Sequence, residues 1–295
     1  MRNHKNMSFA GLSLFVCFCL LRGTEQLAER FGGMIWLYAL AEILSFGIPI
    51  LMAFQLIQRD NNHPSLRRRI SFSSVSGHMI GVSWKFGVTA AAFSILIDLL
   101  LRDFAGQAVA STAVTPLTIP QNVLLSWRIL IQTLLSAVIE EFFLRGVLLT
   151  LYENSAGTVL SLLLSGLTYA LLYGDVFHIV GAFVSGVIYA YLVHRFDSLL
   201  PAIVAHMAGN LYYLFISNII QAYSSFNIWT YFTALGALLF LLCLYFSLRT
   251  AEKMFAAYGL SDFNKGERSD IALLRNAGML TFAIAFIVKA VFHLI

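Results

Sequence analysis

The stretch Ser136-Ala-Val-Ile-Glu140-Glu141-Phe-Phe-Leu-Arg145-Gly146 sets two carboxylates and a guanidinium inside an otherwise apolar run. At the centre of a bilayer each such charge costs about 2.5–3.5 kcal/mol even on the lenient insertion scale. A chain keeps this cluster only where a bundle interior or a wet cavity solvates it. The stretch therefore implies a helix enclosed by other helices, and ionisable groups at that depth imply a functional site.

Working outward, the 295 residues are 59% hydrophobic and only 12% charged, with a mean hydropathy of +0.79. Soluble domains carry about 25% charged residues, so the composition is that of an integral membrane protein. Apolar runs near the roughly 20 residues needed to span a bilayer lie at 7–21, 33–57, 79–101, 125–152, 157–178, 179–193, 199–221, 229–248 and 271–295. The first and sixth are short, so the expectation is eight or nine transmembrane helices. The runs are continuously apolar rather than alternating, which excludes an outer-membrane barrel. The expected fold is all-α: a polytopic membrane helix bundle forming one integral domain over 1–295, without internal repeats or a separate soluble domain.

The N-terminus begins Met1-Arg2-Asn3-His4-Lys5 and is then apolar to Leu21. No small-x-small cleavage pattern follows, so an uncleaved first membrane helix is expected. With that end inside, the inner segments hold Arg2, Lys5, Arg59, Arg67, Arg68, Arg69, Arg195, Arg249, Lys253, Lys265 and Arg268, and the outer ones Arg22, Arg30, Arg102 and Arg128. This bias predicts a cytoplasmic N-terminus in the cell membrane. The Arg67–Arg69 run reads as a topogenic anchor, and the outer loop 102–126, with Pro116 and Pro120, as a connection or a cover over a cavity. A formal charge of +4 is too small and scattered to suggest nucleic acid. Cys17, Cys19 and Cys243 all fall in apolar runs, without the spacing of a metal site or a disulfide framework.

Glu141 and Arg145 are spaced i, i+4 with the acid N-terminal, the favourable order on one helix face. Glu140 is rotated about 100° away, which leaves it as the carboxylate available for proton transfer while Glu141–Arg145 forms an internal ion pair. A purely architectural ion network is the other reading. In Ala205-His206-Met207-Ala208-Gly209-Asn210, His206 and Asn210 again share a face, and Gly209 admits a close neighbour. This pair can stabilise an oxyanion or serve as hydrogen-bonding glue between helices. His178 follows Tyr173-Gly174-Asp175-Val176-Phe177 at a helix junction, where a histidine is commonly interfacial. Lys85 and Lys289 can snorkel, His293 sits near the chain end, and Asp98 reads as hydrated near the outer surface.

Rival intramembrane protease patterns are absent: there is no His-Glu-x-x-His. Phe183-Val184-Ser185-Gly186 lacks the first glycine of a rhomboid motif, and Leu172-Tyr173-Gly174-Asp175 that of an aspartyl one.

Glu140-Glu141-x-x-x-Arg145, the downstream His178 and His206-x-x-x-Asn210, on successive helices, resemble the CAAX-protease and bacteriocin-processing (CPBP, or Abi) family, which includes the type II CAAX prenyl endopeptidase. The resemblance covers about 126–213, with flanking helices at about 7–101 and 229–295. Asp197-Ser198-Leu199-Leu200-Pro201 resembles the family's lead-in to its last motif, and Phe183–Gly186 its preceding helix. One departure is plain. The family's second motif is Phe-x-x-x-His, whereas Gly174 lies four before His178 and Tyr173 one further back.

The resemblance implies an intramembrane endopeptidase acting on a peptide or membrane-protein substrate within the lipid bilayer. Glu140, aided by His178, would activate water, His206 and Asn210 would stabilise the oxyanion, and Glu141–Arg145 would hold the site in shape. No cofactor is expected; were the enzyme metal-dependent, Glu140, His178 and His206 would be the ligands of Zn²⁺. The alternatives are a non-catalytic immunity or scaffold protein of the same fold and a small-solute transporter, though the latter lacks inverted repeats and paired broken helices.

Overall fold

The computed structural model describes residues 2–31, 35–59, 76–104, 130–173, 178–223 and 277–294, with Tyr245 and Arg249. Among them lie eight helices and no strand. They are α1 Arg2–Arg30, α2 Ile35–Arg59, α3 Gly77–Phe104, α4 over 130–156, α5 Thr158–Tyr173, α6 Ile179–Phe196, α7 Leu200–Tyr223 and α8 Ala277–Leu294. The expected run at 229–248 falls outside the described residues apart from Tyr245, as do the loop at 105–126, Arg67–Arg69 and Asp175.

α1 over Asn6–Thr24, α3 over Gly77–Leu101 and α6 over Ile179–Phe196 are long and apolar enough to cross a membrane, and α2, α5, α7 and α8 carry shorter apolar stretches. This supports a helical membrane protein, with three clear crossings among the described residues. α4 falls in neither group, being divided into four short α- and π-helical segments. Outward-facing residues such as Leu51, Trp84, Phe215 and Ile284 are exposed and apolar, as a lipid-facing surface requires.

α4 lies at the centre, against α1, α2, α5 and α7, while α3 packs along α7 and α6. It is not a uniform helix. Leu130–Leu135 and Phe142–Leu148 are π-helical, flanking the ordinary turn and a half Ser136–Glu141. In the second widened segment the Leu149 N–H bonds five residues back to Leu144 O. Such insertions are rare in helices and frequent at functional sites. More residues per turn also brings Arg145 closer to directly above Glu141 than a 3.6-residue turn would.

Two sequence expectations are corrected. Arg22, read as an outer-loop residue, lies inside α1: its guanidinium donates to Leu172 O at 2.7 Å, near the end of α5. The polar residues after Leu21 continue the helix because they find partners there, as when Thr24 Oγ1 donates to Leu20 O at 2.6 Å. Asp98, read as hydrated, is buried in α3.

α3 and α7 cross at backbone contact. A Cβ on Gly87 would fall 1.9 Å from Ala205 O, where no flexible side chain can yield. Gly87→Ala is therefore expected to push α3 off α7. Overpacking costs about 1–3 kcal/mol, so the thermal unfolding midpoint in detergent should fall. An unshifted midpoint would show that the helices can separate freely at this point.

Candidate active site

The helix carrying His206 starts from a tight corner. Asp197 closes α6 in the left-handed region at φ 48°, a conformation a short polar side chain tolerates. Ser198 Oγ accepts the Leu200 N–H at 3.4 Å. Pro201, in the first turn of α7, removes an N–H that has no intrahelical partner there. Five residues on, His206 is buried and faces the Ser136–Glu141 segment, which packs on α7.

The Glu141–Arg145 pair forms as the i, i+4 spacing predicts. Arg145 Nη1 lies 2.8 Å from Glu141 Oε1, with both side chains 0% exposed. The same oxygen meets His206 Nδ1 at 2.8 Å, 65 residues further along the chain. Arg145 Nη2 also donates to Gly186 O on α6 at 3.1 Å. Its guanidinium carbon stands 4.8 Å from the Tyr169 ring centre and 5.4 Å from that of Tyr189. Aromatic faces stabilise a desolvated cation by about 2 kcal/mol. Arg145 Nε and Glu141 Oε2 have no hydrogen-bond partner among the described residues, so the pair meets through a single contact rather than a two-pronged fork.

Glu140 is drawn to the same histidine. Ser136 Oγ donates to Glu140 Oε1 at 2.5 Å, and Oε2 lies 4.0 Å from His206 Nε2. The 100° rotation between adjacent helical residues thus does not separate the two acids. They reach opposite nitrogens of one imidazole. Tyr169 Oη is 3.2 Å from the same Nε2, and the Tyr189 ring stacks on the imidazole with centres 5.2 Å apart and planes 21° from parallel.

The four residues Glu140, Glu141, Arg145 and His206 are therefore brought together. Asn210 is half-buried one turn beyond His206 on the same face of α7. His178 is half-buried at the start of α6, and its ring meets that of Tyr213 edge-on at 5.6 Å. Tyr213 follows His206 by seven residues and shares its face, and helical side chains lean toward the N-terminus. His178 therefore borders the stretch of α7 around Asn210. Gly209 does admit close neighbours: a Cβ there would lie 2.8 Å from Tyr189 Oη and 3.3 Å from Gly87 O on α3.

Residues 122–212 match the family model of the Rce1-like type II CAAX prenyl endopeptidases. The match agrees with the resemblance read from the motifs and covers the middle third of the chain. No curated protein and no solved structure matches the chain.

Within the Rce1-like segment, Ser136, Tyr169 and Tyr189 belong to the site and were not singled out from sequence. The two tyrosines count as apolar in a hydropathy reading. Their only signal was a phenol hydroxyl at membrane depth, which needs a hydrogen-bond partner when buried. The Tyr173 side chain lies outside the described residues, and the aromatic ring that meets His206 from α5 is that of Tyr169, one turn earlier. Among the described residues no group of three His, Cys, Asp or Glu side chains is arranged to hold a metal ion.

Proposed function

We propose that the chain is an intramembrane endopeptidase in which Glu140 activates water for attack on a peptide carbonyl. The observation that carries this reading is the buried pairing of Glu140 Oε2 with His206 Nε2 across 4.0 Å, a gap that one water oxygen can bridge at hydrogen-bonding distance from both. Peptide hydrolysis needs a base, a bound water and donors for the developing oxyanion; in this reading Glu140 is the base and His206 one of the donors. Ser136 holds one oxygen of Glu140 and leaves the other turned toward the imidazole. Glu141 accepts from Nδ1, so Nε2 is the nitrogen that faces the reaction.

The water oxygen attacks the carbonyl carbon, and its proton passes to Glu140. The tetrahedral oxyanion is stabilised by His206 and by Asn210 one turn along α7, while His178 aids Glu140 in activating the water. On collapse the C–N bond breaks and the proton moves from Glu140 to the leaving amine, regenerating the carboxylate. Arg145 and Glu141 do not touch substrate; they fix the imidazole. The substrate is a peptide or protein segment in the membrane, and no metal takes part.

The test uses the purified full chain in proteoliposomes. Two probes are followed: a quenched fluorescent peptide ending in an S-farnesylated CAAX sequence, and a membrane-protein extract read by N-terminal mass spectrometry. New N-termini should arise with the wild type and persist after exhaustive chelation. Zinc at one equivalent, with activity tracking its occupancy, would assign a metalloprotease instead. If neither probe is cut, the chain is a non-catalytic binder of the same fold.

A further inference from the structure

Tyr169 lies on α5, four residues before the helix end, and its ring is buried between Arg145 and His206. Its hydroxyl stands 3.2 Å from His206 Nε2, the ring nitrogen that Glu141 leaves uncommitted. Two groups that far apart can both reach a single oxygen at about 2.9 Å, an ordinary hydrogen-bond length for each. Nε2 of a protonated imidazole and a phenol are both donors, so the two atoms define a site for one negatively charged oxygen. Glu140 Oε2, 4.0 Å from Nε2, borders that site with the water it would activate.

The surroundings make the hydroxyl a fixed donor rather than an adaptable one. Arg145 packs on the Tyr169 ring at 4.8 Å, and the Tyr189 ring meets it edge-on with centres 6.2 Å apart. A donor already held in position costs no reorganisation when charge develops on the substrate, which is the main source of its catalytic value. Asn210 is half-buried a turn away on α7, so Tyr169 is the donor nearest to Nε2 among the contacts of His206.

We propose that Tyr169 is a catalytic residue, its hydroxyl donating to the tetrahedral oxyanion beside His206 Nε2. The assignment rests on the protease reading of the same site and adds a donor from a different helix. A structural role would require only the ring, and a phenylalanine would fill it equally well.

The experiment compares wild type, Tyr169→Phe and Glu140→Gln as full chains in proteoliposomes. It reads new N-termini in a membrane-protein extract, then kcat and KM on a quenched peptide spanning the most frequently cut site. Tyr169→Phe should lower kcat by about 10²–10³-fold, the usual loss for one oxyanion donor. KM and the thermal unfolding midpoint should be unchanged. Tyr169→His keeps a ring and a donor, and should recover part of the lost kcat. Normal turnover by Tyr169→Phe, with Glu140→Gln inactive, overturns the Tyr169 assignment and leaves the protease reading standing. Joint loss of midpoint and activity in both Tyr169 variants gives the residue a structural role and also overturns it. If wild type produces no more termini than Glu140→Gln, the protease reading fails and this assignment fails with it.

Discussion

Glu140→Gln is expected to reduce peptide cleavage to background while leaving the thermal unfolding midpoint of the bundle in place. Glutamine keeps the volume of the side chain and an oxygen that can accept from Ser136, which lies 2.5 Å from Glu140 Oε1. It cannot accept a proton from water at the oxygen facing His206. Losing a positioned general base typically costs about 10²–10⁴-fold, and the same group must return the proton to the leaving amine, so both halves of the reaction suffer. Cleavage and unfolding measured on one preparation decide the matter. Equal kcat for wild type and Glu140→Gln would remove Glu140 from the chemistry.

Glu141→Gln should act in the opposite way, on stability first. Arg145 is completely buried and its ion-pair partner is Glu141. Breaking a buried pair by removing one member costs about 3–5 kcal/mol, because the remaining charge stays desolvated. The two phenol rings over the guanidinium soften that loss without cancelling it. The expected result is a lower unfolding midpoint and poor recovery from the membrane. Replacing both members, as in the double change Glu141→Leu with Arg145→Met, should restore much of the midpoint, since an apolar pair of similar size avoids the desolvation. A double variant no more stable than Glu141→Gln would show that the carboxylate is needed chiefly for His206.

What could be read from the sequence, and what could not, divides by distance along the chain. Glu141–Arg145 and the shared face of His206 and Asn210 follow from helical periodicity, a local rule that needs no partner helix. All-helical architecture follows from composition and from the need to satisfy backbone groups within each segment. The bond from Glu141 to His206 spans 65 residues and depends on how α4 meets α7, which no local pattern encodes. An ideal helical rotation sets Glu140 apart from its neighbour, yet both acids face His206 because the imidazole presents two nitrogens. Tyr169 and Tyr189 were hidden by their rings, which read as core. Arg22 reads as a loop residue because a short polar run after an apolar one looks like a loop until the carbonyl that receives its guanidinium is in view.

Glu141 Oε1 is shared: Arg145 and His206 both meet this one atom at 2.8 Å. Two contacts through a common acceptor do not have independent energies, and residues in one network commonly show coupling of about 0.5–3 kcal/mol. Substitution costs at positions 141, 145 and 206 will therefore not sum. Such coupling is epistasis in the evolutionary sense. A lineage that lost any one of the three would relax selection on the other two, so the trio should be kept or discarded together as sequences drift.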